Sequence, residues 1–266
     1  MSLPVFPPGA DPGPSFLELL KRTGFAPPQL TAPPSAPFEI THGTTIAALR
    51  FADGVVMAGD RRATAGSSIA HRSMDKVHPA DRYSGVAVSG ASGFALDMVK
   101  LFQLQLEHYE KVEGVVLSLE GKANQLAQMV RSNLPSAMQG LVVIPLFAGY
   151  DLRRQQGRIF TYDATGGKYE ETDFHADGSG GRDARSVIKL QWVEGLDRAA
   201  AIELAVEGLY EAADEDSATG GPDTVRGIYP TVATITASGW ERVGEDEVAE
   251  RFAALIDRKS ARGARP

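Results

Sequence analysis

The sequence contains no cysteine. That excludes disulfides, thiolate nucleophiles and cysteine-based metal sites, and it fits a cytoplasmic protein. Positive charge is in short supply: 27 Lys and Arg stand against 34 Asp and Glu, a formal net charge of -7. An acidic chain argues against nucleic acid as a partner. No apolar run is long enough to span a bilayer, so no membrane partner is expected. The first residues do not read as a secretory signal, because they lack a basic start and "SFLELL" is short and carries Glu18. The five histidines (His42, His71, His78, His108, His175) are scattered and form no H-E-x-x-H pair, so no metal site is expected. His108 reads as part of a solvated helix face. The G-x-S-x-G elbow of α/β-hydrolases is missing. "GSGGRD" lacks both phosphate-loop spacings and reads as a tight turn before a helix, so no cofactor is expected.

What is present falls into two textures. Residues 1–43 are Pro-rich, in "PVFPPGADPGP" and "APPQLTAPPSAP", and cannot form interior helix or sheet. Between these runs "SFLELLKRTG" predicts one short amphipathic helix, with Ser15 as its cap, Glu18 at the capping-box position and Gly24 as its stop. Composition alone reads this region as a disordered tail. The sharper reading is a removable pro-segment that docks through Phe16, Leu17 and Leu20.

From Thr44 the chain, 266 residues and 43% hydrophobic in all, has enough apolar content for a sizeable core. "TTIAALRF" and "GVVMAGD" predict two strands joined by a turn at Ala52-Asp53-Gly54. "SSIAHR" and "RYSGVAVSG" follow as strand candidates. "SGFALDMVKLFQLQLEHYEKV" predicts a helix with Phe94, Met98, Leu101, Phe102 and Leu106 on one face. "LSLEGKANQLAQMVRSNL" predicts a second, capped by Ser118, with Leu126, Met129 and Val130 inward. Strands return at "LVVIPLFAGYD" and "GRIFTYD". Two more helices lie in "GSGGRDARSVIKLQW" and "DRAAAIELAVEGLYEAADED". "GIYPTVATITASG" and "WERV" pair as strands, and "DEVAERFAALIDRK" is a last helix. Strand groups alternate with helix pairs, which suits antiparallel sheets covered by paired helices better than a doubly wound parallel sheet. A four-layer α-β-β-α sandwich is one such α+β solution. One domain over 44–259 is expected, with residues 260–266 as a mobile basic tail.

With the usual nucleophiles removed, Gly43-Thr44 remains. A threonine hydroxyl is a poor nucleophile unless a base sits beside it. An N-terminal threonine supplies its own base, since a free α-amine has a pKa of about 7.7–8.0. In the full chain that nitrogen is an amide, so cleavage of Gly43-Thr44 would switch such an enzyme on. The triplet alone is common and reads as an ordinary strand start.

The surrounding text resembles a known family. "TTIAALRFADGVVMAGDRRAT" is similar to the mature N-terminus of 20S proteasome β subunits. The resemblance continues through "MDKV", "GASG", "QLEHYEKVEG", "AMQGL" and "DEDSATGGPDTVRGIYPT" and covers nearly all of Thr44–Arg258. The last motif resembles the actinobacterial type, which is made with a long pro-segment. The resemblance implies the Ntn-hydrolase α-β-β-α sandwich, in agreement with the layer order above, and a threonine endopeptidase freed by autocleavage of Gly43-Thr44.

It also implies roles. Thr44 becomes the nucleophile. Lys76 matches the active-site lysine, whose charge lowers the pKa of the neighbouring amine, and Asp60 matches its acidic partner. Gly90 matches the glycine whose N–H faces the oxyanion. Ser179, Asp216 and Thr219 match the polar cluster that orients the amine. Serine is more usual at the last position, so the hydrogen bond of Thr219 is an open point. The alternative for Asp216 is membership of a solvated acidic run with Asp214 and Glu215. Thr64 and the region from Gly90 to Ser92 match the edges between which a peptide lies as an added strand. Ala63, Met74, Val88, Ser92 and Leu96 match the first specificity pocket, an apolar lining that implies large apolar or aromatic residues before the cut.

The family implies a barrel of four stacked seven-membered rings, two outer rings of α subunits around two of β subunits. A regulatory ring ATPase would act through the α rings, and the substrates would be unfolded proteins. Two alternatives stand beside this: a non-catalytic structural β-type subunit, and the two-ring ATP-dependent bacterial threonine protease. Retention of Gly43, Thr44, Asp60 and Lys76 together speaks against the first. The long leader and C-terminal extension speak against the second.

Overall fold

Thr45 opens a strand in which every second side chain faces the same way, and this alternation builds two different cores. The computed structural model describes Phe6, Pro7, Asp11 and residues 13–24, 43–65 and 67–263. Its elements in chain order are α1 (Phe16–Thr23), β1 (Thr45–Phe51), β2 (Gly54–Gly59), β3 (Ala63–Ala65), β4 (Ser68–His71), β5 (Val77–Asp81) and β6 (Ser84–Gly90). Then come α2 (Ser92–Glu113), α3 (Leu119–Ser132), α4 (Leu134–Ala137), β7 (Val143–Asp151), β8 (Gln156–Tyr162), β9 (Lys168–Glu171) and β10 (Phe174–Gly178). The chain ends with α5 (Gly181–Gln191), α6 (Arg198–Glu215), β11 (Thr231–Thr236), β12 (Gly239–Arg242) and α7 (Glu245–Gly263).

The strands form two five-stranded antiparallel sheets, ordered β10-β1-β2-β11-β12 and β5-β6-β7-β8-β9, beside a small β3-β4 hairpin. On β1, Ile46 and Ala48 face the second sheet and pack with Met57, Ala87, Leu146 and Ile159. Ala47, Leu49 and Phe51 face the other way and pack under α5, α6 and α7 with Ile188, Ile202 and Phe252. The second sheet repeats the device: Val86, Val88, Phe147 and Phe160 face α2 and α3. Period-two alternation with both faces apolar requires a cover on each side. The result is the four-layer α-β-β-α sandwich. Each fully buried Leu or Ile in these layers contributes roughly 1.5–3 kcal/mol.

Helix ends follow their sequence signals. Ser15, Ser118 and Asp197 each accept a hydrogen bond from a first-turn N–H. Gly24 closes α1 in the left-handed conformation.

The differences from the sequence reading have local causes. β3, β5, β9 and β10 were not expected as strands. β3 is only three residues long and β9 is the charged "KYEE", while β5 carries Pro79 on a sheet edge, where proline is tolerated. On α2 the inward stripe is Ala95, Met98, Val99, Phe102 and Leu106, whereas Leu101 faces α1. His108 is not a solvated position, because the Phe16 ring lies 5.3 Å from its own. α1 docks on α2 through Leu19 and Leu20, with Phe16 alongside; the Leu17 side chain lies outside the described residues. α7 runs on to Gly263, into the stretch expected as a tail; Ser-Ala-Arg offers nothing to stop a helix. The Pro-rich runs of residues 1–43 fall largely outside the described residues. Among the described residues no helix is long and apolar enough to cross a membrane.

Candidate active site

One end of the sandwich gathers the ends of several elements. Thr44 immediately precedes β1, Asp60 follows β2, Lys76 precedes β5, Ser179 follows β10, and Asp216 caps the C-terminus of α6. Each adjoins the end of a strand or helix, and β1 and β2 are almost wholly buried, so the site rests on the core and not on loops alone.

Lys76 and Asp60 form its charged centre. Lys76 Nζ lies 2.6 Å from Asp60 Oδ1, and both side chains are buried, at 4% and 0% exposure. Asp60 is fully satisfied: Oδ1 also accepts the Thr45 N–H at 2.7 Å, and Oδ2 accepts the N–H groups of Arg62 and Gly220 at 2.9 and 2.8 Å. Lys76 donates two further hydrogen bonds, to the Arg62 carbonyl at 2.5 Å and to the Gly43 carbonyl at 2.9 Å. An ammonium has three protons, and all three are used. Burial pushes the Lys76 pKa below the ordinary lysine value, with the Asp60 carboxylate opposing that shift.

The Gly43 carbonyl is the one attached to Thr44. Thr44 Oγ1 reaches back to it and donates at 2.7 Å. That bend needs glycine at 43, because a Cβ there would lie 2.7 Å from both the Ala218 carbonyl oxygen and Thr64 Oγ1. Thr64 Oγ1 is itself buried without a hydrogen-bond partner.

On the other side of Thr44, Ser179 Oγ faces the Thr44 nitrogen at 3.4 Å and donates to Asp216 Oδ2 at 2.5 Å. Thr219 Oγ1 donates to the same oxygen at 2.6 Å. Asp216 is thus no solvated member of an acidic run. Burial alone would raise its pKa, but the hydroxyls of Ser179 and Thr219 and the N–H groups of Ala218 and Thr219 outweigh burial and hold it below the ordinary carboxylate value. The open point about Thr219 resolves, since its methyl group does not prevent the hydrogen bond.

Gly90 ends β6 at a φ of +108°, where a Cβ would fall 2.1 Å from the Val142 carbonyl oxygen. No hydrogen bond joins it to Gly43 or Thr44 among the described residues. Of the expected pocket residues, Ala63 is buried and Val88 belongs to the core under α2 with Ala91 and Ala95. Met74, Ser92 and Leu96 are half-buried. Met74 and Leu96 pack into none of the hydrophobic core clusters of the described residues.

Three participants were not anticipated: Thr45, Arg62 and the backbone of Gly180. Thr45 was readable in principle, since strand alternation turns it away from Thr44 and toward the helices. The "GSGG" run is the chain reversal that closes on it. A Cβ on Gly178 would come within 1.9 Å of the Thr44 carbonyl oxygen. Among the described residues no group of three or more His, Asp or Glu is placed to hold a metal ion.

A buried lysine–carboxylate pair and a serine–aspartate pair converging on Thr44, just before β1, in an α-β-β-α sandwich, define a protein of the Ntn-hydrolase fold. The family model described as proteasome subunit matches residues 40–227. A "Proteasome subunit beta" of Acidimicrobium ferrooxidans is 58% identical over 265 residues, which cover 100% of this chain and 97% of that protein. Another of the same description, from Streptomyces griseus, is 56% identical over 221 residues, 83% of this chain and 79% of that one. The chain belongs to the proteasome subunit family, and its similarity is to β subunits.

Proposed function

We propose that this chain is a catalytic β subunit, a threonine endopeptidase made as a precursor and switched on by cleavage of its own Gly43–Thr44 bond. The observation that carries this reading is the geometry at one carbonyl. Thr44 Oγ1 and Lys76 Nζ both touch the Gly43 oxygen, at 2.7 and 2.9 Å. Lys76, as an ammonium, polarises that carbonyl. Thr44 Oγ attacks its carbon, the Gly43–Thr44 C–N bond breaks, and the hydroxyl proton ends on the departing nitrogen. An ester links Gly43 to Thr44 Oγ until water hydrolyses it. Thr44 is then the first residue, with a free amine.

That amine is the base for the second reaction. It takes the Oγ proton as Thr44 attacks a substrate carbonyl, and returns it to the leaving amine of the cleaved peptide. Water then releases the acyl group from Oγ. Ser179 and Asp216 orient the amine, and Asp60 keeps Lys76 charged. Gly90 supplies its N–H to the oxyanion of a bound substrate. The substrate lies as an added strand along Thr64 and the Gly90–Ser92 edge. Half-buried Met74 and Leu96, outside the core clusters, line a first pocket with Ala63, Val88 and Ser92. A peptide panel should therefore show faster cleavage after Leu or Tyr than after Arg. Equal rates after Arg would refute the apolar pocket.

The working form is a cytoplasmic barrel of α and β rings, fed with unfolded proteins by a ring ATPase. Residues 1–43 are its removable pro-segment. A non-catalytic structural role would leave no reason to keep Gly43, Thr44, Asp60 and Lys76 together in one buried cluster. The test is the intact mass of the chain after co-assembly with α subunits. A mass beginning at Thr44, absent in Thr44→Ala, is expected. A Thr44→Ala chain that is cleaved at the same bond would overturn the reading.

A further inference from the structure

Thr45 stands next to the nucleophile, yet its side chain is wholly buried and points away from it. Its hydroxyl lies 2.6 Å from Thr219 Oγ1, in a contact where either oxygen could be the donor. It also accepts the Gly180 N–H at 3.0 Å. Both threonines are 0% exposed. A hydroxyl pair in a dry core is costly unless every donor and acceptor is used, and valine would fit a strand core at position 45 without that demand.

The direction of the chain can be worked out. An ionised carboxylate only accepts. Asp216 Oδ2 receives the Thr219 Oγ1 proton at 2.6 Å. A hydroxyl has one proton, so Thr219 Oγ1 must accept from Thr45. Thr45 Oγ1 then accepts from Gly180. The sequence of bonds runs one way: Gly180 N–H to Thr45, Thr45 to Thr219, Thr219 to Asp216. Ser179 gives its only proton to the same Asp216 oxygen at 2.5 Å. Its Oγ therefore meets the Thr44 nitrogen, 3.4 Å away, as an acceptor.

We propose that Thr45 is a positioning residue for the peptidase reaction, holding Thr219 on Asp216 Oδ2 so that Ser179 Oγ is presented to the freed amine of Thr44. Gly180 is part of the device, because a Cβ there would lie 2.6 Å from Thr45 Oγ1 and 2.8 Å from Thr219 Oγ1. Without the Thr45 hydroxyl, Thr219 loses the donor that fixes its rotamer, Asp216 Oδ2 is held less firmly while Oδ1 keeps the Ala218 N–H, and Ser179 shifts with Oδ2. The amine then spends less time aligned with its own hydroxyl. Substrate contacts along Thr64 and Gly90 are untouched, so binding is not the step affected. The inference rests on the catalytic reading above and deepens it.

The test compares wild type, Thr45→Val, Thr45→Ala and Thr45→Ser, each as the full chain co-assembled with α subunits. Intact mass gives the processed fraction, and peptide cleavage is expressed per processed subunit. Thr45→Val should lower kcat about tenfold to a hundredfold with KM within twofold, and Thr45→Ser should restore kcat to within threefold of wild type. Thr45→Ala removes the same hydroxyl and stands in if valine prevents folding. Hydroxyl-free variants with wild-type kcat would overturn the proposal, as would a serine variant no better than alanine, or a loss seen in KM alone. Failure of the catalytic reading looks different: the wild-type assembly itself would show no mature mass and no cleavage.

Discussion

Lys76 and Arg158 are almost equally hidden, with side chains 4% and 3% exposed, yet they are partnered in opposite ways. Arg158, on β8, meets three carboxylates. Its Nε and Nη2 each lie 2.6 Å from Glu170, Nη1 lies 3.0 Å from Asp151, and Nη2 lies 2.7 Å from Glu120. Those hydrogen bonds to Glu170 outweigh burial and raise its pKa further. Lys76 meets one carboxylate and two backbone carbonyls, and burial lowers its pKa. Arg158 is over-supplied with negative charge and tied to partners near the surface, with Glu170 40% and Glu120 47% exposed. Lys76 is held in a dry place with one proton aimed at the Gly43 carbonyl. The first arrangement fixes a sheet to α3. The second keeps a charge where a charge can act.

The largest effect should come from exchanging each cation for methionine. Lys76→Met should slow cleavage at Gly43–Thr44 at least about 100-fold, as expected for loss of a preorganised electrostatic donor. Asp60 keeps its three N–H donors from Thr45, Arg62 and Gly220, which limits the damage to folding. Arg158→Met should do the reverse. It should cost about 2 kcal/mol of stability, the range for hydrogen bonds to charged groups, and leave the cleavage rate within threefold of wild type. Mass spectrometry of the precursor over time and a thermal melt measure both. If Arg158→Met blocks cleavage in a folded chain, the division between the two cations is wrong.

That division was only partly legible in the sequence. Thr44 was reached by elimination of the other nucleophiles at a strand start, whereas Asp60 and Lys76, though near it in the chain, were marked by the family-like motifs alone. Ser179 and Asp216 lie far along the chain, and periodicity gives no sign that α6 ends beside β1. Only the motif resemblance reached them. Thr45 was overlooked because a threonine at a strand start looks like ordinary β-propensity; its importance depends on a hydroxyl and a glycine that arrive from far along the chain. The layers were readable from alternation and helix pairing, whereas β5 and β9 were hidden by proline and charge on sheet edges. Nothing in "GRIFTYD" revealed Arg158 as a hub, since its partners come from three separate elements.

A pH profile sharpens the same comparison. The role given to Lys76 requires the ammonium form. Its folded pKa lies below the ordinary 10.5, so protons leave it at lower pH than they leave an exposed lysine. Precursor cleavage should therefore be lost on the alkaline side, and the loss should begin below pH 10.5. Lys76→Arg keeps its charge throughout that range. It should be slower, because the guanidinium does not fit the same three acceptors, and it should show no such alkaline limb. A wild-type limb that persists unchanged in Lys76→Arg would mean that another group controls cleavage.

The smallest effect belongs to α1. Leu19 and Leu20 are buried at 2% and 8% exposure against Leu104, with Leu101 and Phe16 alongside. None of these residues touches Gly43, Lys76 or Ser179. A Leu→Ala change in a core costs about 2–5 kcal/mol, but an eight-residue helix is marginal by itself in water. Leu19→Ala should therefore release α1 from α2 and not unfold the sandwich. Trypsin should then cut after Lys21 and Arg22 severalfold faster in the precursor, while the main melting transition moves by only about 1–2 °C. Cleavage at Gly43–Thr44 in the assembled particle should keep its rate, because the groups that act on that carbonyl are supplied by β1, β2 and β5. A Leu19→Ala precursor that folds, assembles and fails to process would show that α1 helps to hold Gly43 in place.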